Sequence, residues 1–449
     1  MSDSFAYFME MGTGKTLTTI GLMGVLYQRG LIQRALVVSP TTVMSVWPEE
    51  MTRFANYPWI CEMLVGEKER RINALETLIR NPFPDLKLAI INYESVWRDG
   101  LKEALLHYHA DIIICDESQR IKSHSAKQSK AMWELGDCAK YKIILSGTPV
   151  QNNCLDLWSQ YRFLDKTIFG EYYTPFEKHY CVMHSVFRNR VLRTINQDEL
   201  IRKEYSCAYR VTKEEALDLP EQTFETRYID FTQKERHLYD TLAQDMITVL
   251  SSGETVTAAS ILTKFLRLQQ LTGGFLASDA GGPPQQVSSA KLDTLKDIIT
   301  DYVVEGGHKL VIFARFIAEV EAIKKLCTSL LSSGQRWVCI QGSVPKEQRG
   351  GIVQQFQTDK NTKIFIGQID SVSLGITLTA ASTTIYYSTT WNYASYSQSM
   401  SRTHRAGQHW PCHYIHLTVR KSIDSRILEA LEAKEDISKG IVDTWRNYI

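Results

Sequence analysis

The sequence predicts an α/β protein of two lobes, each built on a parallel sheet with helical insertions. Three observations support this. Short β-branched runs alternate with helical patterns in the first part of the chain, and the same alternation resumes after Gly306. Each run also ends in polar residues, which is typical of buried parallel strands, whose carboxyl ends collect ligands.

Nine apolar runs predict the strands of the two sheets. Those of the first lobe are residues 6–8, 35–38, 88–91, 111–115 and 142–145. Those of the second lobe are residues 310–313, 337–340, 364–366 and 384–387. The pattern from Thr16 onward predicts the helix that follows the first strand.

The places where this alternation stops predict the domain boundaries. We expect the first lobe over residues 1–231, with a helical, aromatic and charged insertion at about 155–210. A helical connector and a flexible linker are expected over residues 232–285, because glycines and prolines at 281–284 break the pattern. The second lobe then occupies residues 286–449.

Composition narrows the function classes. With Lys+Arg 51 and Asp+Glu 50 in 449 residues, bulk charge does not indicate a nucleic-acid partner, which would need local basic patches. The apolar runs are far shorter than the ~20 residues of a membrane span, so no membrane association is expected. Nine scattered cysteines without a Cys-x-x-Cys pair argue against a zinc knuckle or a disulfide framework and favour a reducing, intracellular compartment.

A glycine-rich loop closed by lysine and threonine is the most informative motif, reading Met-Glu-Met-Gly-Thr-Gly-Lys-Thr at residues 9–16. In such a loop, backbone N–H groups surround phosphate oxygens, the lysine reaches the β and γ phosphates, and the threonine hydroxyl binds Mg²⁺. The motif predicts ATP as ligand. The predicted binding residues are Gly12, Thr13, Gly14, Lys15 and Thr16. Met9 replaces the first glycine of the pattern, so a simple turn before a helix is the competing interpretation.

An acidic pair follows the most apolar strand. ATP hydrolysis needs one carboxylate to hold Mg²⁺ and another to orient and deprotonate water, and Asp116 and Glu117 suit these roles. An isolated acidic turn is common, but this pair lies downstream of a phosphate-binding loop in the same predicted sheet. Thr148, after the next strand, is either a sensor of the γ-phosphate or part of an ordinary Gly-Pro turn.

Residues 398–408 predict the start of a helix that carries positive charge. Arg402 and Arg405 are three positions apart and would share one helical face. An arginine presented by one lobe to a nucleotide on the other stabilises the transition state, worth roughly 10³–10⁵ in rate. A solvated basic helix remains the alternative.

Together these sequence motifs resemble those of the superfamily 2 helicase-type ATPases, and among them the Swi/Snf-like DNA translocases. These are DEAD/DEAH-like P-loop proteins. In the first part, residues 9–16, 38–50, 92–95, 116–122 and 145–159 are similar to motifs I, Ia, Ib, II and III. In the second part, residues 311–313, 341–356, 373–378 and 398–408 are similar to motif IV, the segment after it, and motifs V and VI. The resemblance implies two RecA-like lobes.

The resemblance also implies the site residues and the partner. The implied ATPase residues are Lys15, Thr16, Asp116, Glu117, Gly375, Gln398, Arg402 and Arg405, with Arg405 as the arginine finger and Mg²⁺ on Thr16 and Asp116. The implied partner is double-stranded DNA, gripped by its backbone irrespective of sequence. The implied contacts are Thr41, Thr42, Asn92, Tyr93, Gly342, Ser343 and Ser373.

The sequence therefore predicts a DNA-dependent ATPase that translocates on duplex DNA. A strand-separating superfamily 2 helicase and a catalytically weak, nucleotide-gated DNA clamp are the alternatives. The clamp is favoured only by the lack of the family's adenine-recognising glutamine motif before the loop, which indicates either a truncated start or weak base recognition. Gln119 stands where many members have His, and Ser401 where many have Asp.

Several secondary expectations accompany this function. We expect a monomer that is cytoplasmic if the source is a bacterium or a phage and nuclear if the source is eukaryotic. A possible protein partner is left unidentified. Trp391 and Trp410 are expected in the core, and His404 is expected to be structural. A basic cluster in the insertion is expected to be a solvated helical face. Its members are Arg188, Arg190, Arg193, Arg202 and Lys203.

Overall fold

The computed structural model describes residues 3–41, 43–184, 191–251, 258–276, 282–371 and 376–442. The chain divides into two compact units. The first is Met1–Asp218 together with the chain from Lys434, and the second is Leu219–Ala433. Each has its own mainly parallel sheet and its own core, as an alternating β/α pattern requires.

The first unit contains a seven-stranded parallel sheet in the order β3-β4-β2-β5-β6-β1-β9, and a short antiparallel hairpin of β7 and β8. Its strands are β1 Ser4–Met9, β2 Arg34–Ser39, β3 Trp59–Met63, β4 Leu86–Asn92, β5 Ile112–Asp116, β6 Tyr141–Leu145, β7 Cys181–Met183, β8 Val191–Thr194 and β9 Ala208–Val211. Its helices are α1 Lys15–Gln28, α2 Val46–Phe54, α3 Lys68–Arg80, α4 Leu101–Tyr108, α5 Lys127–Cys138, α6 Leu155–Leu164, α7 Lys166–Phe169, α8 Tyr173–Tyr180, α9 Gln197–Glu204 and α10 Lys213–Ala216.

The second unit contains a six-stranded parallel sheet in the order β10-β17-β16-β13-β15-β14. Its strands are β10 Gln222–Ile229, β11 Phe275–Leu276, β12 Gln285–Gln286, β13 Leu310–Ala314, β14 Arg336–Ile340, β15 Thr362–Gln368, β16 Thr383–Tyr386 and β17 Cys412–Val419. Its helices are α11 Gln233–Ser251, α12 Ala258–Thr272, α13 Ala290–Ile299, α14 Ile317–Leu330, α15 Lys346–Thr358, α16 Tyr393–Met400 and the first part of α17 Ile423–Val442, whose residues from Lys434 belong to the first unit.

Both sheets are covered on both faces, which explains the continuous apolar runs of their central strands. In β5, Ile112 and Ile114 belong to the core on one face, and Ile113 and Cys115 belong to the core on the other. Because side chains alternate along a strand, such a run buries every residue only when helices cover both faces. The α/β prediction of two parallel-sheet lobes is therefore confirmed. Within the described ranges no helix is both long and apolar enough to cross a membrane.

The structure corrects the expected domain boundaries in three places. The units divide after Asp218 rather than after residue 231, because β10 pairs with β17 along all eight residues. The expected insertion at about 155–210 ends too late, since β9 pairs in parallel with β1 and completes the first sheet. The expected connector at 232–285 is part of the second unit, where Leu268 and Leu271 join its core.

Candidate active site

The glycine-rich loop connects β1 to α1 at the carboxyl edge of the first sheet. Gly12 has φ 87° and Gly14 has φ 94°, a backbone region that side-chain-bearing residues rarely adopt. A Cβ at either position would meet no neighbour within 4 Å, so the conformation and not crowding requires glycine. Lys15 is the first residue of α1, and the free N–H groups of that first turn favour an anion.

The Lys15 ammonium folds back on the end of β1. Its Nζ donates to the carbonyl oxygens of Met9 at 2.9 Å and Glu10 at 3.2 Å. Burial lowers the pKa of Lys15, while the charges of Glu117 and Asp116 act in the opposite direction. The lysine therefore lies within electrostatic reach of both carboxylates that the sequence analysis singled out.

The acidic pair lies at the end of β5, where Asp116 is buried and Glu117 is half-buried. Asp116 is 6 % exposed, and burial together with the Glu117 charge raises the pKa of Asp116 to about 6. Trp47 Nε1 donates to Asp116 Oδ2 at 3.0 Å and opposes that rise. Glu117 has φ 54°, a left-handed conformation that is uncommon for a residue with a side chain and that clusters at functional sites.

A chain of hydrogen bonds connects the ends of β5 and β6. Gln119 Nε2 donates to Glu117 Oε2 at 2.5 Å, and Ser146 Oγ donates to Gln119 Oε1 at 2.7 Å. The backbone N–H of Thr148 donates to Ser146 Oγ at 3.1 Å. Because an amide both donates and accepts, Gln119 bridges the carboxylate and the serine, and Thr148 is held at the same edge.

Arg210 is a member of this site that the sequence analysis missed. It lies in β9, is 5 % exposed, and its Nη2 donates to Glu10 Oε1 at 2.9 Å. Its Nη1 donates to the carbonyls of Phe8 at 3.2 Å and Gly147 at 3.3 Å. It thus ties the start of the loop to the segment after β6. The role of Trp47 was missed as well, since no local pattern shows that its indole reaches Asp116.

The residues present fit Mg²⁺ held partly by a nucleotide. Mg²⁺ in phosphate-transfer sites takes one or two protein oxygens and completes its shell with phosphate and water. Thr16 and Asp116 offer one hydroxyl and one carboxylate, and the second, half-buried carboxylate of Glu117 makes a cation favourable there. Among the described residues, no group of three or more His, Cys, Asp or Glu forms an all-protein metal site.

The predicted arginine helix is wrong in its extent. α16 ends at Met400, so Gln398 is helical but Arg402 and Arg405 lie in the turns that follow. The N–H groups of Thr403 and His404 both return to the Met400 carbonyl, which closes the last turn and ends the helix. The two arginines therefore do not share a helical face.

Both arginines are held by the segment between β15 and β16. Arg402 is 2 % exposed, and its carbonyl accepts from the Leu378 N–H at 2.8 Å. Arg405 Nη1 donates to the Ile376 carbonyl at 3.3 Å, and burial lowers the pKa of Arg405. Gly375 lies outside the described residues.

The predicted DNA contacts differ in accessibility. Thr41, Gly342 and Ser343 are exposed, and Asn92 is half-buried with its amide donating to Glu94 at 2.9 Å. Tyr93 is fully buried and its hydroxyl donates to the Asp116 carbonyl at 2.8 Å. The prediction that Tyr93 contacts DNA is therefore wrong, because its side chain supports the acidic pair. Thr42 and Ser373 lie outside the described residues.

Some of the secondary expectations agree with the structure and others do not. Trp391 packs against the core of the second unit, as expected, but Trp410 is 71 % exposed and the core prediction for it is wrong. His404 Nε2 lies 2.9 Å from the Pro220 carbonyl, which confirms a structural role. In the basic cluster, Lys203 pairs with Glu199 at 2.9 Å on an exposed face, whereas Arg188 and Arg190 lie outside the described residues.

Two family models match the parts of the chain that contain these residues. The model of the SNF2-related domain matches residues 7–273, more than half of the chain and the whole of the loop and acidic pair. The chain belongs to the SNF2-related family. The helicase conserved C-terminal domain matches residues 290–407. The resemblance to the Swi/Snf-like family is therefore confirmed.

Curated relatives in the SNF2-related family align with nearly all of this chain. The "SWI/SNF-related matrix-associated actin-dependent regulator of chromatin subfamily A member 1" of Homo sapiens is 25% identical over 97% of this chain and 41% of its own length. "ATP-dependent DNA helicase DDM1" of Arabidopsis thaliana is 26% identical over 95% and 57%. "Putative ATP-dependent helicase/translocase YwqA" of Bacillus subtilis is 26% identical over 97% and 46%. The chain thus spans about half the length of these relatives.

One solved structure is also similar to this SNF2-related chain. It is titled "Sulfolobus solfataricus SWI2/SNF2 ATPase core in complex with dsDNA". The two share 24% sequence identity with a TM-score of 0.43, over 99% of this chain and 90% of that chain.

Proposed function

We propose that this chain hydrolyses ATP and couples turnover to movement along duplex DNA. The observation that supports this most is the meeting of Lys15, Asp116 and Glu117 at one buried edge of the first sheet. A phosphate-binding loop beside two carboxylates is the arrangement that phosphoryl transfer to water uses. The names of the relatives, a DNA helicase and a putative helicase/translocase, support the DNA-coupled form of this activity.

Each residue of the site has one task in this proposal. The loop N–H groups and Lys15 bind phosphate oxygens, and Thr16 and Asp116 hold Mg²⁺, which when bound neutralises phosphate charge. Glu117 orients and deprotonates the attacking water. Gln119 and Ser146 hold the Glu117 carboxylate in place through their hydrogen bonds.

The second unit supplies the remaining ATPase residues of the proposal. Arg402 and Arg405 stabilise the negative charge of the transition state, with Arg405 as the finger, and Gln398 and Gly375 complete the set. Arginine suits this task because its guanidinium stays charged even where burial lowers its pKa.

DNA is held through its phosphates in this proposal, so binding is independent of sequence and weakens with salt. Thr41 and Ser343 are exposed and offer hydroxyl donors to phosphate oxygens. Gly342 is exposed as well, and its N–H donates to Gln368 Oε1 at 3.2 Å. Asn92, Thr42 and Ser373 complete the proposed contacts. The nearly balanced charge of the chain is compatible with such local contacts.

The first experiment measures ATP hydrolysis by the purified chain, alone and with duplex DNA, single-stranded DNA and RNA. We expect the largest stimulation by duplex DNA and its loss in Lys15→Ala. Lys102→Ala is the matched control, since Lys102 is a lysine of the same unit paired with Glu134 on the surface. No turnover with any nucleic acid would overturn the ATPase proposal and favour the nucleotide-gated clamp.

A second experiment separates movement from strand separation. The chain is given ATP with a duplex that carries a third strand, and in parallel with a forked duplex. Release of the third strand with the fork intact is the expected result for a duplex translocase. Opening of the fork would instead favour the strand-separating helicase.

A further inference from the structure

Two thiols face each other inside the first unit. Cys154 immediately precedes α6 and Cys181 opens β7, and their sulfur atoms are 3.2 Å apart. Cys154 is 0 % exposed and Cys181 is 5 % exposed, and both are free thiols. The Thr194 hydroxyl in β8 contacts Cys154 Sγ at 3.6 Å, so three elements meet at this point. The ATPase proposal gives this pair no task.

The two thiols are not equivalent. The hydrogen bond between them lowers the pKa of Cys154 and raises that of Cys181, which makes Cys154 the more readily ionised of the two. Other cysteines of the chain lack this arrangement, and burial raises the pKa of both Cys61 and Cys207 to about 12. Because the thiolate is the reactive form, oxidation should select Cys154 among these buried cysteines.

We propose that Cys154 and Cys181 form a reversible oxidation site, at which a hydroperoxide converts the two thiols into a disulfide. The sulfur atoms need to approach by only about 1 Å to reach the ~2.05 Å length of a disulfide. This inference does not rest on the proposed ATPase activity.

The reaction proceeds in two balanced steps with hydrogen peroxide as oxidant. The Cys154 thiolate attacks one peroxide oxygen, the O–O bond breaks, and hydroxide leaves, which gives a sulfenic acid. The Cys181 sulfur then attacks the Cys154 sulfur, the S–S bond forms, the S–O bond breaks, and water leaves with the Cys181 proton. The thiols lose two electrons and two protons, and the peroxide is reduced to water.

The bond would tie the start of α6 to the β7–β8 hairpin. The segment before Cys154 is already ordered by hydrogen bonds, since the N–H groups of Gln151 and Asn152 donate to Asp156 Oδ2 at 2.9 and 2.8 Å. A disulfide closing the 27-position separation of the two cysteines reduces the freedom of the unfolded chain. Oxidation should therefore raise the thermal unfolding midpoint, by an amount on the order of 5–10 °C.

The test treats the whole chain with hydrogen peroxide, blocks remaining thiols, and maps peptides by mass spectrometry without reduction. We expect a Cys154–Cys181 cross-linked peptide as the main product, removed by dithiothreitol, together with the rise in unfolding midpoint. Cys154→Ser and Cys181→Ser should each lose that rise. Cys138→Ser is the matched control, because Cys138 is an exposed cysteine of the same unit and its loss should leave the rise intact.

Two results would overturn the proposal. One is oxidation of Cys138 in the folded chain while no Cys154–Cys181 peptide forms. The other is a cross-link that appears only after urea has unfolded the chain, because the native proximity would then have no part in it. Both readouts use the unmodified chain, so a variant that fails to fold does not affect the conclusion.

Discussion

Both units bury a carboxylate near the carboxyl ends of their strands, but the two carboxylates have different surroundings. Asp116 lies beside Glu117, within reach of the Lys15 charge, and accepts from Trp47. Glu319, near the end of β13, accepts from the backbone N–H groups of Arg315 at 3.1 Å and Phe316 at 3.0 Å. Its pKa is raised to about 7 by burial.

The surroundings differ because Asp116 belongs to the candidate active site, whereas Glu319 stabilises the packing of segments within the second unit. The Ser388 hydroxyl also donates to Glu319, and a Cβ at Gly273 would lie 1.9 Å from Glu319 Oε1, so α12, α14 and β16 are packed around this carboxylate. The hydrogen bonds of Glu319 thus fix the backbone that follows β13. Around Asp116, in contrast, charges converge beside a glycine loop that has the conformation to bind phosphate. Burial alone therefore does not distinguish the two carboxylates, and neither does a nearby cation, since Lys291 acts on Glu319; the adjacent Glu117 and the glycine loop do.

The largest expected effect is on ATP hydrolysis, and it is tested by making the same substitution in each unit. Glu117→Gln should lower kcat for ATP hydrolysis by ~10³-fold, about 4 kcal/mol in the barrier, because an amide cannot take a proton from water. Glu319→Gln is the matched control and should leave kcat within about twofold at pH 8, since it touches no part of the site. Steady-state ATPase rates check both. Equal losses in the two variants would contradict the distinction between the units.

The next effect is on stability, and it concerns Glu319. A carboxyl whose pKa is raised from 4.5 to about 7 on folding contributes stability at low pH, and this contribution is lost as pH rises through about 7. At 1.36 kcal/mol per pKa unit the loss is roughly 3 kcal/mol. Urea unfolding at pH 5 and pH 8 should show the decrease in the wild-type chain relative to Glu319→Gln. A difference between the two chains that does not change with pH would refute it.

Trp47→Phe tests the hydrogen bond to Asp116 and should have a smaller effect, about tenfold in kcat/KM. Removing the indole N–H removes an interaction that lowers the pKa of Asp116. Since Asp116 must be ionised to hold Mg²⁺, activity falls as pH drops through its pKa. The acidic limb of the pH–rate profile, expected near pH 6 in the wild-type chain, should therefore move to higher pH in the variant. An unmoved limb with reduced activity would mean that Trp47 only packs.

The smallest effect is expected for an ion pair that is exposed to solvent. Arg80 and Glu76 form an exposed ion pair at 2.7 Å on α3, away from both carboxylates. Such pairs contribute roughly 0.3–0.5 kcal/mol, so Arg80→Ala should change neither the unfolding free energy by more than about 0.5 kcal/mol nor the ATPase rate. If denaturant unfolding showed that Arg80→Ala lowers the unfolding free energy by 2 kcal/mol or more, surface charges would matter as much as the charges at the strand ends.

Local patterns predicted much of this molecule. The continuous apolar runs predicted all five interior strands of the first sheet and β13 to β16 of the second, because only a strand covered on both faces buries every residue; the interior strand β17 was not predicted. The glycine loop and the acidic pair after β5 were predicted to lie near each other, and they do, because parallel strands present their carboxyl ends at one edge. That reasoning needs only neighbouring residues and the periodicity of the chain.

Tertiary structure alone decided the features that depend on distant partners. The edge strands β9 and β10 lack a local apolar run and exist through pairing with β1 and β17. The contacts of Arg210 with Glu10, of Trp47 with Asp116 and of Cys154 with Cys181 join positions that no sequence spacing relates. The sequence by itself determined the chemistry of the strand ends, since that depends on residue type. The fold decided which side chains support that chemistry, since support depends on which distant segments pack together.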